Sequence, residues 1–203
     1  MNHLLKRIVW PAIALTSFFL PALHAQAPEQ IVVDAKAPTT PFPHFWEQTF
    51  GSGRAILSLR QSYRDDLRTV KQATDFQSVR FHGIFMDEVG LYDPDRRIQN
   101  PGLAPQAARD ASVYNFSYID QIYDGLLENH VRPFVELSFM PKKMASDPAA
   151  LHAFWYKQNV SPPKDYAVWD AMITAFAAHL VARYGIEEVT TWKFEVWNEP
   201  NID

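Results

Sequence analysis

The chain has 203 residues, 47% hydrophobic and 21% charged, which excludes an intrinsically disordered chain and fits one domain or at most two small ones. Its formal charge of −4 leaves no basic stripe to neutralise phosphates, so nucleic acid is not an expected partner. With no cysteine, a disulfide scaffold, a thiolate metal site and a cysteine nucleophile are all excluded.

In chain order, Lys6 and Arg7 precede an uncharged apolar run over 8–23 that meets small residues at Ala25 and Ala27. This layout predicts a secretory signal peptide over 1–27, cut after Ala25, with Ala27 as the alternative site. The run is shorter than the roughly 20 residues that span a bilayer, so no membrane anchor is expected. Removing it deletes two cations and no acid, and a cysteine-free exported protein points to a bacterial periplasm or the medium.

Beyond it, strands and helices alternate. Residues 77–84 (Gln-Ser-Val-Arg-Phe-His-Gly-Ile), 132–139 (Arg-Pro-Phe-Val-Glu-Leu-Ser-Phe) and 190–197 (Thr-Thr-Trp-Lys-Phe-Glu-Val-Trp) read as buried strands, and 47–51 as a weaker one. Ser62 with Asp65, and Ser117 with Asp120, match the capping-box pattern that starts a helix. Asp165, after Pro162 and Pro163, opens a third helix through Trp169, Met172, Phe176 and Leu180 to a C-cap at Gly185. The alternation predicts parallel βα units, and the longest excess lies in 85–114 and 140–164, on the carboxyl side of strands, where α/β enzymes place their chemistry. Neither GxGxxG after a strand nor GxxxxGK[ST] occurs, and the seven histidines are scattered, so no nucleotide cofactor and no metal site is predicted.

The chemistry concentrates at Trp192-Lys193-Phe194-Glu195-Val196-Trp197-Asn198-Glu199-Pro200, where an apolar strand ends in Asn-Glu and Pro200 forces the chain out of regular structure. A carboxyl at a strand mouth beside Trp is expected to be partly desolvated, which favours its neutral form, as a general acid requires. An isolated Asn-Glu-Pro is more often a helix N-terminal acid or a structural ion pair; the surrounding strand and aromatics are what favour the chemical reading.

The octet 194–201 resembles the acid/base strand of glycoside hydrolase family 39, the β-xylosidases and α-L-iduronidases. The segments 51–55 (Gly-Ser-Gly-Arg-Ala), 79–83 (Val-Arg-Phe-His-Gly), 87–92, 114–118, 132–136, 139–142 (Phe-Met-Pro-Lys), 160–166 (Val-Ser-Pro-Pro-Lys-Asp-Tyr) and 183–189 resemble the same family in the same order, with Phe-Met-Pro and Ser-Pro-Pro-Lys-Asp closer to its bacterial xylosidase branch. The resemblance implies a TIM (β/α)8 barrel, of which 28–203 would hold the first four βα units, usually with a small β-sandwich attached. It also implies retaining hydrolysis of β-xylosides or related glycosides by a pair of Glu residues. Carried over, Glu199 is the acid/base, Asn198 its substrate-binding neighbour and His82 a sugar contact, and the nucleophile falls near strand 7, past Asp203. A fragment of this extent is expected to lack activity and to aggregate, or to dimerise to close the barrel. The full-length enzyme remains a possible homo-oligomer. The implied partner is a carbohydrate; iduronide or exopolysaccharide hydrolysis is the alternative within the chemistry, and a non-catalytic or decayed sugar-binding fragment the alternative outside it.

Other residues stay double in meaning. Trp46, Phe139 and Trp155 are candidates to wall the sugar site, against plain packing. Arg54 either reaches a substrate hydroxyl or pairs with Asp65 or Asp66. Glu136 and Glu195 fit a polar layer inside the barrel, Asn115-Phe116-Ser117 is better explained by capping than by glycosylation, and 94–111 reads as an elongated variable loop.

Overall fold

The computed structural model describes residues 30–96 and 113–200. The predicted signal segment and nearly all of the 94–111 loop lie outside them. The chain forms two compact units, 1–41 and 42–203. In the first, the described residues 30–41 form neither helix nor strand, with one turn in which Asp34 accepts from the Lys36 amide at 2.9 Å.

The second unit is built on four parallel strands in the order β1-β2-β3-β4: Thr49–Arg54, Ser78–His82, Arg132–Glu136 and Lys193–Glu195. The crossovers carry α1 (Gln61–Thr74), α2 (Ser117–Leu127), α3 (Tyr166–Tyr184) and the single turn α4 (Ile186–Val189). All three main strands occur where sequence places them but are shorter, and the weak candidate at 47–51 is a full strand shifted two residues onward. β2 ends at His82 because Gly83 takes φ +77°, and a Cβ there would collide with the Met86 side chain. Among the described residues no helix is long and apolar enough to cross a membrane.

Alternation along β2 sorts the sheet's two faces. Val79 and Phe81 are buried under the helices, with Val135 beside them on β3. α2 meets that face with Ile119, Ile122, Tyr123 and Leu126, and α3 with Met172, Phe176 and Leu180, one helical stripe each. Phe85 joins the two sets, its ring 5.1 Å from Phe176 in an edge-on contact. Outside the core, α2 and α3 are clamped by His179 on Asp120 at 2.6 Å and by Arg183 on Asp124 at 2.5 Å. The opposite face carries Arg80, His82, Glu136 and Glu195, a polar layer.

Two of the three expected caps are corrected. α1 starts at Gln61 after Arg60, so Ser62 lies inside the helix, and Asp65 turns to Gln61 and Arg68. At α2 the acceptor is Asn115, which takes the Ser117 amide at 3.1 Å and its hydroxyl at 2.7 Å, while Asp120 is committed to His179. A capping box needs its Ser in extended backbone before the helix, and both serines are already helical. Asp165 is a genuine N-cap, accepting from Ala167 N at 2.9 Å, and Gly185 ends α3 at φ +82°. Accordingly, Asp165→Ala should lower unfolding free energy by about 1 kcal/mol. Ser62→Ala should stay within about 0.5 kcal/mol of the parent. Urea titration of the two variants checks both.

Candidate active site

The polar layer of the sheet continues into the loops at its carboxyl end. Arg80 is two residues before His82 on β2, so both project from the face opposite the helices. The Arg80 guanidinium donates to Glu195 of β4 twice, from Nε at 2.6 Å and from Nη2 at 3.0 Å. The same Nη2 lies 2.8 Å from Glu136 Oε2 on β3 and donates to Asn198 Oδ1 at 2.7 Å. Arg80 therefore keeps Glu195 below the usual carboxylate range through that hydrogen bond, and Glu195 raises Arg80 in turn.

Glu136 is 1% exposed and is met by three donors: Arg80, the Ser138 hydroxyl and His82 Nδ1, the last at 2.7 Å. A carboxylate only accepts, so Nδ1 of His82 carries a proton and Nε2 is the ring atom left for other partners. Glu136 and Glu195 are thus supporting residues, as the polar-layer reading holds.

Asn198 has its carbonyl oxygen fixed by Arg80, which leaves its amide nitrogen toward Glu199, 3.4 Å from Oε2. Glu199 stands four residues past the end of β4, in left-handed backbone at φ +45°, a conformation that costs a non-glycine residue energy and recurs at functional sites. Its side chain is exposed, which corrects the expectation of a desolvated carboxyl. β4 is an edge strand among those described. Asn198 and Glu199 border a cavity of about 290 Å³ whose walls include Phe139 and Trp197, set edge-on at 5.7 Å. Phe139 is 4% exposed and its ring is 5.9 Å from that of His82, so the predicted wall residue stands between the histidine and the cavity.

The remaining candidates lie elsewhere. Arg54 does not pair with Asp65 or Asp66; its Nε is 3.2 Å from Glu88, and its guanidinium packs on the rings of Trp155 at 4.6 Å and Tyr156 at 4.7 Å. At the end of β1 it points into the rim loops, whereas Asp65 and Asp66 sit on α1. Trp155 braces Arg54 and does not line the cavity. Trp46 packs on Phe42 at 4.7 Å and is likewise no wall of it. Arg80 and Gln158 are the site residues that sequence reasoning passed over. Period-two spacing from His82 was the available signal for Arg80; Gln158 had none.

A model of glycosyl hydrolases family 39 matches residues 29–203. A beta-xylosidase of Geobacillus stearothermophilus is 44% identical over 162 residues, 79% of this chain and 30% of that protein. One of Caldicellulosiruptor saccharolyticus is 39% identical over 160 residues, 78% of this chain and 30% of its own length. The crystal structure of a monomeric beta-xylosidase from Caulobacter crescentus CB15 superposes with a TM-score of 0.67 at 37% identity, covering 81% of this chain and 30% of that one. The chain thus spans about a third of the length of these relatives, and its four parallel strands are the first four of a (β/α)8 barrel.

The Glu195–Arg80 pair carries a pH signature. Because the folded-state pKa of Glu195 is depressed, its stabilisation is complete above the ordinary carboxylate value of about 4.3 and is lost as pH falls through the folded value. The stability gap between the parent and Glu195→Gln should therefore be widest near neutrality and shrink below about pH 4. A gap that denaturant titrations find constant over that range contradicts the assignment.

Proposed function

This chain belongs to glycosyl hydrolase family 39, and we propose that it carries the acid/base part of a retaining β-xylosidase. The observation that supports this most directly is the Arg80–Asn198 hydrogen bond beside Glu199. It sets the Asn198 amide so that a donor, not an acceptor, stands next to the carboxyl, in position to hold a sugar hydroxyl by its oxygen.

In this reading Glu199 protonates the glycosidic oxygen as the bond to the anomeric carbon breaks. A second Glu, contributed from outside the described residues, attacks that carbon and forms the glycosyl ester. Glu199 then takes a proton from water, which displaces the ester with net retention. His82, its ring fixed through Nδ1 by Glu136, offers Nε2 to the sugar undergoing cleavage. Bound sugar and the remaining strands supply the cover over Glu199 that an effective general acid needs. Export is part of the proposal: the signal segment directs the chain to the periplasm or medium and is cut after Ala25, so the exported protein should begin at Gln26 by mass spectrometry of its first peptide.

The test is kinetic, on the product of the whole reading frame. It should release p-nitrophenol from the β-xyloside, and Glu199→Gln should lower kcat on an unactivated xyloside about 10²–10⁴-fold. The loss should be smaller on the p-nitrophenyl substrate, whose phenolate leaves with less need of a proton. Hydrolysis of an iduronide in place of the xyloside overturns the substrate; an unimpaired Glu199→Gln enzyme overturns the role of the residue.

A further inference from the structure

A general acid at a glycosidic bond has the sugar being cleaved on one side and the leaving group on the other. The His82–Glu136 pair is not part of the wall of the 290 Å³ cavity, whereas Asn198 and Glu199 are. Across from that carboxyl stands the segment 151–158 of the loop after β3, supplying Leu151, His152, Phe154 and Gln158. The main chain closes on itself there, His152 N donating to Gln158 O at 2.9 Å, which puts the two side chains on neighbouring positions of one tight reversal.

Both of those side chains have a polar atom to offer. Gln158 is 3% exposed, yet its Oε1 has no hydrogen-bond partner among the described residues. Burial raises the Tyr156 hydroxyl above its ordinary value and a hydrogen bond with the Gln158 amide opposes that shift, so the N–H side of the amide is engaged and the oxygen is the free end. A buried acceptor without a donor is costly and calls for an explanation, and its terminal torsion is soft enough to turn toward an incoming group. His152 Nδ1 accepts the Phe154 amide at 3.2 Å, so in the neutral ring Nε2 carries the proton and is a donor. Phe154, half exposed and 4.1 Å from the His152 ring, adds a flat apolar surface.

An acceptor, a donor and an aromatic face around one small cavity match a ring that bears hydroxyls at its edge and C–H bonds on its face. Resting on the glycosidase reading, we propose that this cavity is the leaving-group subsite, and that Gln158 and His152 select a pyranose as the leaving group over an aryl or alkyl alcohol. No step of the chemistry changes; the subsite determines which glycosides are presented to Glu199.

The readout is a ratio between two substrates with the same cleaved sugar: kcat/KM on a β-1,4-linked xylose disaccharide divided by kcat/KM on p-nitrophenyl β-xyloside, for the product of the whole reading frame. Gln158→Leu keeps the volume and removes the acceptor, and should lower the ratio about tenfold, the effect of one hydrogen bond lost. His152→Phe keeps the ring and removes the donor, and should move the ratio the same way independently, so a folding defect in one variant leaves the other to decide. An unchanged ratio in both, or a parallel fall on both substrates, overturns the subsite and leaves the glycosidase reading standing. Failure of the unsubstituted enzyme on both substrates overturns both.

Discussion

One guanidinium joins three strands at the functional end of this sheet. Arg80 projects from β2 and meets Glu136 of β3, Glu195 of β4 and the amide oxygen of Asn198 in the following turn. β4 is only three residues long, and a strand of that length at a sheet edge has few ladder bonds to hold it. The paired hydrogen bonds to Glu195 and the bond from Leu137 N to Glu195 O at 2.8 Å fix its register at the point where the chain turns into Asn198 and Glu199. Half-buried charge of this kind contributes little net stability, but leaving one partner alone is costly, so the network specifies geometry more than it stabilises.

The same constraint extends sideways through the loops. Asp87, after β2, accepts the backbone amide of Lys142 in the loop after β3, and Lys143 pairs with Asp93 and Asp95. Within the β3 loop, Asn159 holds Asp147 O at 2.7 Å and takes both the amide and hydroxyl of Ser161. Loops long enough to be mobile are thereby cross-tied before any ligand arrives, which lowers the entropy cost of binding. Burial pushes Asp87 above its ordinary value, the expected consequence of seating a carboxyl between two loops.

What was legible beforehand follows from how local each signal is. Val79 and Phe81 alternate with Arg80 and His82, so β2 and the sorting of its faces could be read from five residues. Asp165 could be read as a cap because two prolines preclude helix before it. Ser62 and Ser117 matched the capping pattern and failed, because a short motif does not say where the helix begins, and Asn115, two residues upstream, supplied a better acceptor. Arg54 was unreadable for another reason: its partners Glu88, Trp155 and Tyr156 come from two loops 34 to 102 positions away, and only the folded rim brings them together.

The network also sorts the carboxylates at this end of the sheet by what holds them. At the mouth of the sheet four carboxylates stand close in space or sequence: Glu88, Glu136, Glu195 and Glu199. Glu88 is paired with Arg54, Glu136 with Arg80 and His82, and Glu195 with both nitrogens of the Arg80 fork. Glu199 receives one long contact, 3.4 Å from an amide that Arg80 has already oriented. The hydrogen bond from Arg80 holds Glu195 below the ordinary carboxylate range. Glu199 has no such ion pair among the described residues and stands on a left-handed turn beside a donor amide, the arrangement from which the proposed acid/base role starts. Glu136 and Glu195 hold the Arg80 guanidinium that orients the Asn198 amide beside it.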